Sequence, residues 1–331
     1  MKAHKNYFML FAHNDKNRVS KMDKNTLKAV LLLVIATMCW GGNITLGRAI
    51  SADVPPFGLT FWRWTIVTTL LIAFNFALFR RQRHLLRAHW KLIALVALTG
   101  VCIYPAFQFY ALRNTSAINA ALFVAISPVI VPILATWLLG TKVRALEILG
   151  IAISTVGILV VICRGDLQTL LKLSFSWGDL LMLFCTFCWS AYTVLLKRVP
   201  ADIAPMMLFA STTALAALFV LPLYTWEATF VRPITLSGLT LFSLGYTTIF
   251  ASLIGYFCFG LGVKALGPNT SGLFIHLIPI FTTIFAIVLL GESLHTFHLF
   301  GVAAIASGLV LSTWAAQRSV QAPTTQPVEQ K

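Results

Sequence analysis

One stretch of this 331-residue chain occurs twice, and that constrains the fold more than any other feature. Residues 37–56 read TMCWGGNITLGRAISADVPP, and residues 186–205 read TFCWSAYTVLLKRVPADIAP. At a shift of 149 positions Thr37, Cys39, Trp40, Ala52, Asp53 and Pro56 recur as Thr186, Cys188, Trp189, Ala201, Asp202 and Pro205, and Arg48 recurs as Lys197. A second echo follows at a shift of 151. Leu122-Phe123, Pro128, Leu138-Leu139-Gly140, Gly150 and Gly157 return as Leu273-Phe274, Pro279, Leu289-Leu290-Gly291, Gly301 and Gly308. Two echoes at nearly one shift mean a duplicated folding unit of about 150 residues, longer than the repeats of solenoids and propellers.

The unit is built for a bilayer. The chain is 58% apolar and only 11% charged, against about 25% charged residues in soluble domains. No soluble core hides that much apolar surface. Only helices or a closed barrel satisfy the backbone inside lipid, and apolar runs of about 20 residues without strict alternation are helices. The first run follows a basic arm, is too long for a signal-peptide core and has no clear cleavage site. The six cysteines all fall within or at the ends of apolar runs. Cys185 and Cys188 form a CxxC inside an expected span with no partner pair nearby, so neither a metal nor a redox site is expected.

Ten spans are expected, at roughly 28–49, 57–79, 91–112, 116–139, 146–163, 177–197, 204–224, 235–260, 270–290 and 297–316. Residues 1–27 form a basic arm and 317–331 a polar tail. Met22 begins a compact approach to the first span, which leaves Met1 and Met22 as alternative natural starts. With the N-terminus inside, 19 of the 25 Lys and Arg residues fall on the cytoplasmic side and five outside (Arg48, Arg113, Arg164, Lys172 and Arg232), with Arg63 within a span. That bias places both termini in the cytoplasm. It also accounts for the net charge of +15 by topology signals and lipid-headgroup contacts, which excludes a nucleic-acid surface. Residues 28–163 and 177–316 thus hold five spans each. Five is odd, so the copies are inverted, related by a pseudo-two-fold axis in the membrane plane, which offers two mirror-related conformations open to either side.

Polar residues inside a membrane face a cavity or a partner. Arg63, in Phe61-Trp62-Arg63-Trp64, is the one charge well inside a span. It anchors a substrate carboxylate or phosphate, snorkels to the headgroups between two belt tryptophans, or pairs with Glu292. His276 lies three residues before Pro279. It bonds substrate or passes a proton, or it caps a carbonyl freed by Pro279. Trp40 and Asn43 share one face at i, i+3. Trp189 and Tyr192 occupy the repeat-related face, and Tyr104 and Gln108 share a face at i, i+4. These residues either line a central cavity or serve helix packing, and the axis would bring Trp40 near Trp189. Gly41-Gly42, Gly150, Gly157, Gly301 and Gly308 read as close helix contacts. No carboxylate falls mid-span, which disfavours proton-coupled export of organic cations. No nucleotide-binding loop and no catalytic set is present.

Trp40-Gly41-Gly42-Asn43, Pro55-Pro56 followed by Phe61-Trp62-Arg63-Trp64, and Pro279…Leu290-Gly291-Glu292…Gly301…Gly308, in that order and with the duplication, resemble the ten-span EamA group of the drug/metabolite transporter superfamily over residues 28–316. The resemblance implies an all-α integral membrane protein of ten transmembrane helices in two inverted five-helix repeats, with a central cavity and alternating access in a bacterial inner membrane. It implies non-enzymatic movement of amino acids, sugars or other small metabolites, often outward. Gly291 and Glu292 carry the family motif. The first copy departs from it, with Gly140-Thr141 in the corresponding place, so the motif's glutamate has no twin. The expected partners are the lipid bilayer and a small-molecule substrate, with homo-oligomerisation left open and no cofactor. The leading reading is an exporter of small polar metabolites, with amino acids first. The competing class is a lipid flippase, an enzyme or an accessory subunit acting on lipid-linked material.

Overall fold

The structure is a computed structural model that describes residues 24–50, 53–115, 123–163, 165–166, 168, 176–290 and 296–321. Among the described residues the chain is all-helical. In chain order the helices are α1 (Lys24–Ile50), α2 (Pro56–Phe74), α3 (Phe76–Ala88), α4 (Trp90–Val96), α5 (Tyr104–Ala111), α6 (Ser127–Leu139) and α7 (Ala145–Ile162). The second half continues with α8 (Trp177–Leu195), α9 (Pro205–Phe230), α10 (Gly238–Tyr246), α11 (Gly255–Leu266), α12 (Pro268–Leu273), α13 (Leu277–Leu290) and α14 (Thr296–Gln321). A π-helical turn, Ala97–Ile103, joins α4 to α5, and another, Thr247–Ile254, joins α10 to α11.

Among the described residues, seven helical stretches are long and apolar enough to cross a membrane: Lys24–Gly47, Pro56–Phe74, Trp90–Ala111, Ala145–Ile162, Trp177–Arg198, Pro205–Phe230 and Gly238–Leu266. Ser127–Leu139 and Leu299–Ala315 are shorter apolar helices. Many large apolar side chains point outward, among them Ile133, Trp137, Leu218, Phe242, Val288 and Val310, as a lipid-facing surface requires. The protein is a multi-pass membrane protein.

Local chemistry sets the helix ends. Pro56, Pro205 and Pro268 open α2, α9 and α12 at the first helical position, where the missing N–H costs nothing. Ser176 and Asp179 form a capping box at the start of α8. Gly140 closes α6 in the left-handed region at φ 66°, where it has no Cβ to clash. Several spans differ from the sequence reading. The second ends at Phe74, because Asn75 leaves helical geometry and turns its amide back to Leu71 O. The seventh runs on to Phe230, so Glu227 lies inside a helix, buried. The ninth is interrupted by a 3-10 turn, Phe274–His276. Expected spans 28–49 and 297–316 are longer as helices, and residues 116–122 of the fourth lie outside the described part.

The repeat-related helices pack on one another. α7 and α14 share the largest contact, and small residues permit it. A Cβ on Gly157 would sit 2.8 Å from Gly301 O, and one on Gly150 would sit 2.8 Å from Gly308 O. Gly150 is the counterpart of Gly301 and Gly157 of Gly308, so the two contacts are reciprocal and the helices antiparallel. α2 and α9 also run antiparallel in contact. Thr68 donates to Thr213 at 2.9 Å, Phe61 stacks on Tyr224 at 4.6 Å, and Glu227 Oε2 accepts from Gly58 N at 2.8 Å. That last bond ties a carboxylate to the positive N-terminus of α2.

Candidate functional site

Two residues related by the 149 shift meet at the centre of the bundle. The rings of Trp40 and Trp189 stand edge to face, 5.0 Å apart, a favoured aromatic geometry. Tyr104 and Tyr192 close on Trp189 at 4.8 and 5.0 Å. Tyr256 and Phe259, which the sequence reading did not select, complete the cluster. Tyr256 lies 5.6 Å from Trp40, 5.3 Å from Trp64 and 5.7 Å from Trp189, and Phe259 lies 5.2 Å from Trp40 and 5.3 Å from Trp189. The signal was present: Tyr256 and Phe259 repeat the i, i+3 spacing of Trp189 and Tyr192 in an apolar run.

The two π turns supply the polar half of this centre. A π turn shifts the backbone register and frees a carbonyl. Trp40 Nε1 donates to Ala251 O at 3.0 Å. The carbonyl related to Ala251 by the 151 shift is Gly100 O, and Tyr256 OH donates to it at 2.9 Å. Tyr256 thus occupies the acceptor that Trp189 would use if the halves were identical, and the buried Trp189 Nε1 is left without a partner among the described residues. Asn43 Oδ1 is likewise buried and, among the described residues, unpartnered. Gln108 Nε2 donates to Tyr104 OH at 3.2 Å.

Arg63 is 3% exposed, so its guanidinium does not snorkel to the headgroups. Trp64 is fully buried rather than part of a belt, while Trp62 is half-exposed. The guanidinium lies 4.3 Å above the Trp64 ring and 5.9 Å from that of Tyr256. Its Nε donates to Ser252 Oγ at 2.5 Å, and Ser252 Oγ in turn donates to Thr247 O of the second π turn at 2.8 Å. No carboxylate of the described residues pairs with it. Gly291 and Glu292 lie outside the described residues, and the alternative of an Arg63–Glu292 pair lies there with them.

His276 is fully enclosed and both ring nitrogens are engaged. Nε2 lies 3.1 Å from Ala125 O, and Nδ1 lies 2.6 Å from Ser154 Oγ. A carbonyl only accepts, so Nε2 carries the proton and Nδ1 accepts from the serine. The carbonyl is not one freed by Pro279. It belongs to the residue three before Pro128, in the other half, where Val129 N turns to Ile126 O instead. Ala125 and His276 are themselves related by the 151 shift.

Open space lies to one side of the centre. A cavity of about 290 Å³ is lined by Tyr192, Lys197, Phe209, Thr212, Tyr256 and Lys264, with Val199, Ile203, Pro205, Leu208 and Gly260 among its walls. Of the expected cavity residues only Tyr192 lines it. Trp40, Asn43, Arg63, Tyr104, Gln108, Trp189 and His276 lie outside its lining, and large rings rather than an opening fill the centre. A second cavity, of about 10 Å³, is lined by Ile50, Val54, Pro56, Leu59, Phe109 and Arg113. Every one of those residues maps by the 149 or 151 shift onto a wall of the first: Val199, Ile203, Pro205, Leu208, Gly260 and Lys264. The two are the same vestibule in the two halves, one open and one collapsed. They lie at opposite ends of α9, since Pro205 lines the first while Glu227, about 33 Å along at helical rise, holds Gly58 beside the second. The collapsed one is filled by Phe109, whose ring lies against Gly47, where the open one has Gly260 facing empty space. No cluster of metal-ligating side chains occurs among the described residues.

The profile of the EamA-like transporter family matches residues 27–163 and 176–314, the two halves of the duplication. An uncharacterised transporter of Archaeoglobus fulgidus is 28% identical over 86% of this chain and 97% of its own length. The uncharacterised transporter YyaM of Bacillus subtilis is 25% identical over 87% of this chain and 94% of its own. A solved crystal structure with a TM-score of 0.72 covers 89% of this chain and 99% of that one at 21% identity, a likeness of fold.

Proposed function

This chain belongs to the EamA-like transporter family, and we propose that it is a secondary transporter of the bacterial inner membrane, exporting small polar metabolites that carry a carboxylate, amino acids first among them. Ten spans form two inverted five-helix repeats, and the cargo moves by alternating access. The reciprocal contacts of Gly150 with Gly308 and Gly157 with Gly301 support the inverted repeat, as does the meeting of each of Trp40 and Ala125 with its own counterpart. An axis runs through such self-pairs, as in any two-fold contact. With both termini in the cytoplasm, the open vestibule at Lys264 faces the cytoplasm and the collapsed one at Arg113 faces outward.

The observation that carries the cargo reading is Arg63. A charge held inside the membrane without a counter-ion is costly and is kept for use. Here the guanidinium sits at the centre, on aromatic rings and beside a π turn, with no carboxylate of the described residues to neutralise it. Its counterpart under the 149 shift, Thr212, lines the open vestibule. Arg63 therefore holds the matching place at the base of the collapsed one, and it becomes accessible when that vestibule opens. The lipid-linked alternative draws on the open vestibule lying between α9 and α11, helices that touch sparsely.

The test is untargeted mass spectrometry of the medium around cells making the wild type or Arg63→Gln at equal membrane abundance. The reading requires a small set of carboxylates enriched by the wild type alone. Equal media refute export by this route.

A further inference from the structure

The two vestibules share more than shape: each carries a cation at the same repeat position and, among the described residues, no carboxylate in its lining. Lys264 stands at the mouth of the open one and Arg113 at the collapsed one. Lys197 adds a second cation to the open mouth, its Nζ donating to Lys264 O at 2.6 Å. Asp202, on the adjoining loop, is exposed and does not line the cavity. Beyond the lysines the walls are mainly apolar and aromatic, with Thr212 among them, as far as Phe209 and Tyr256, and the Arg63 guanidinium lies 5.9 Å from the Tyr256 ring.

We infer that the cargo is an organic anion with an apolar body and no free ammonium group. This rests on the transport reading above but departs from its first choice of cargo, because amino acids carry the ammonium group that this path does not serve. A solute crossing from Lys264 past Tyr256 to Arg63, and out by Arg113, meets a cation at each stage. An α-ammonium group would need a carboxylate or several carbonyls along the same path to replace its water, since burying an unpaired charge is strongly unfavourable. Among the described residues the lining of neither vestibule offers a carboxylate, and Glu227, beside the second, is taken up by Gly58 N and by Arg113. A carboxylate or phosphate head is served throughout, and the apolar walls of a 290 Å³ space suit a body of one or two rings. Basic mouths also raise the local concentration of anions and their rate of capture.

Counterflow into proteoliposomes holding the purified full chain separates the possibilities. Matched probes share a body and differ in the ammonium: indole-3-acetate against tryptophan, and phenylacetate against phenylalanine. The proposal expects exchange of the acids at least about tenfold faster than the amino acids, a focusing effect of the size such fields produce. Lys264→Gln with Lys197→Gln should lower acid exchange by a similar factor, with unchanged thermal stability in detergent. Faster exchange of the zwitterions overturns the anion inference and leaves the transporter standing. Exchange of neither probe, with scrambling of a fluorescent anionic phospholipid in the same vesicles, overturns both readings in favour of a lipid cargo. Exchange of neither, with no scrambling, overturns the anion inference for probes of this size.

Discussion

Trp40 and Trp189 are counterparts that touch, yet their indole N–H groups have opposite fates, and this sets up a paired substitution. Trp40→Phe and Trp189→Phe remove nearly the same ring area from the same cluster, so the packing losses largely cancel in the comparison. The polar terms do not cancel. Trp40→Phe deletes a buried bond to Ala251 O, worth about 1 kcal/mol net, and orphans that carbonyl at a further cost of about 1–3 kcal/mol. Trp189→Phe deletes a buried donor that has no partner and so relieves a penalty of roughly 1–3 kcal/mol. Trp189→Phe should therefore be the more stable variant by about 2 kcal/mol or more. Reversible unfolding in mixed micelles, with denaturing detergent as titrant, reads the difference. Equal losses, or a larger loss for Trp189→Phe, would refute the reasoning from the displaced Gly100 carbonyl.

Gly260→Phe, which places the plug of the collapsed vestibule in the open one, should abolish transport while leaving stability nearly unchanged, because a side chain there meets empty space; flux and melting temperature of the purified variant check both halves. Gly157→Val should destabilise by about 1–3 kcal/mol or prevent insertion, since its Cβ would sit 2.8 Å from Gly301 O, and yield from membranes with detergent melting reads the loss. His276→Phe should cost stability by leaving Ala125 O and Ser154 Oγ unserved, at about 1–3 kcal/mol for each group; unchanged unfolding would show that neither bond matters.

Much of this architecture was legible because duplication writes itself into sequence. The glycines at 150, 157, 301 and 308 marked a close contact before any coordinates, since a helix pair can approach that nearly only without side chains. The repeat in the sequence also led to the expectation that Trp40 lies near Trp189, and the two rings meet at 5.0 Å. What the pattern could not show is asymmetry. That Tyr256 takes the carbonyl Trp189 would use depends on two π turns, and a π turn carries no residue signature. That one vestibule is open and its twin collapsed depends on Phe109 lying against Gly47 in one half where Gly260 meets empty space in the other, a swap that span-level hydropathy averages away. Arg63 was visible as an intramembrane charge, but whether it snorkelled turned on the direction of its side chain, which a helix position six residues from its start leaves open. The end of the second span at Phe74 was missed because Phe76-Ala77-Leu78-Phe79 continues the apolar run past Asn75.

The account turns on Arg63 binding the charged head of a transported solute. Its most direct test is counterflow of a radiolabelled carboxylate identified by the efflux experiment, in proteoliposomes with equal amounts of wild type or Arg63→Gln, both verified as folded by their melting curves. The account predicts saturable exchange by the wild type and a loss of about a hundredfold in the variant, the scale of a charge-assisted bond of roughly 3 kcal/mol. Exchange by Arg63→Gln at the wild-type rate and affinity would contradict it.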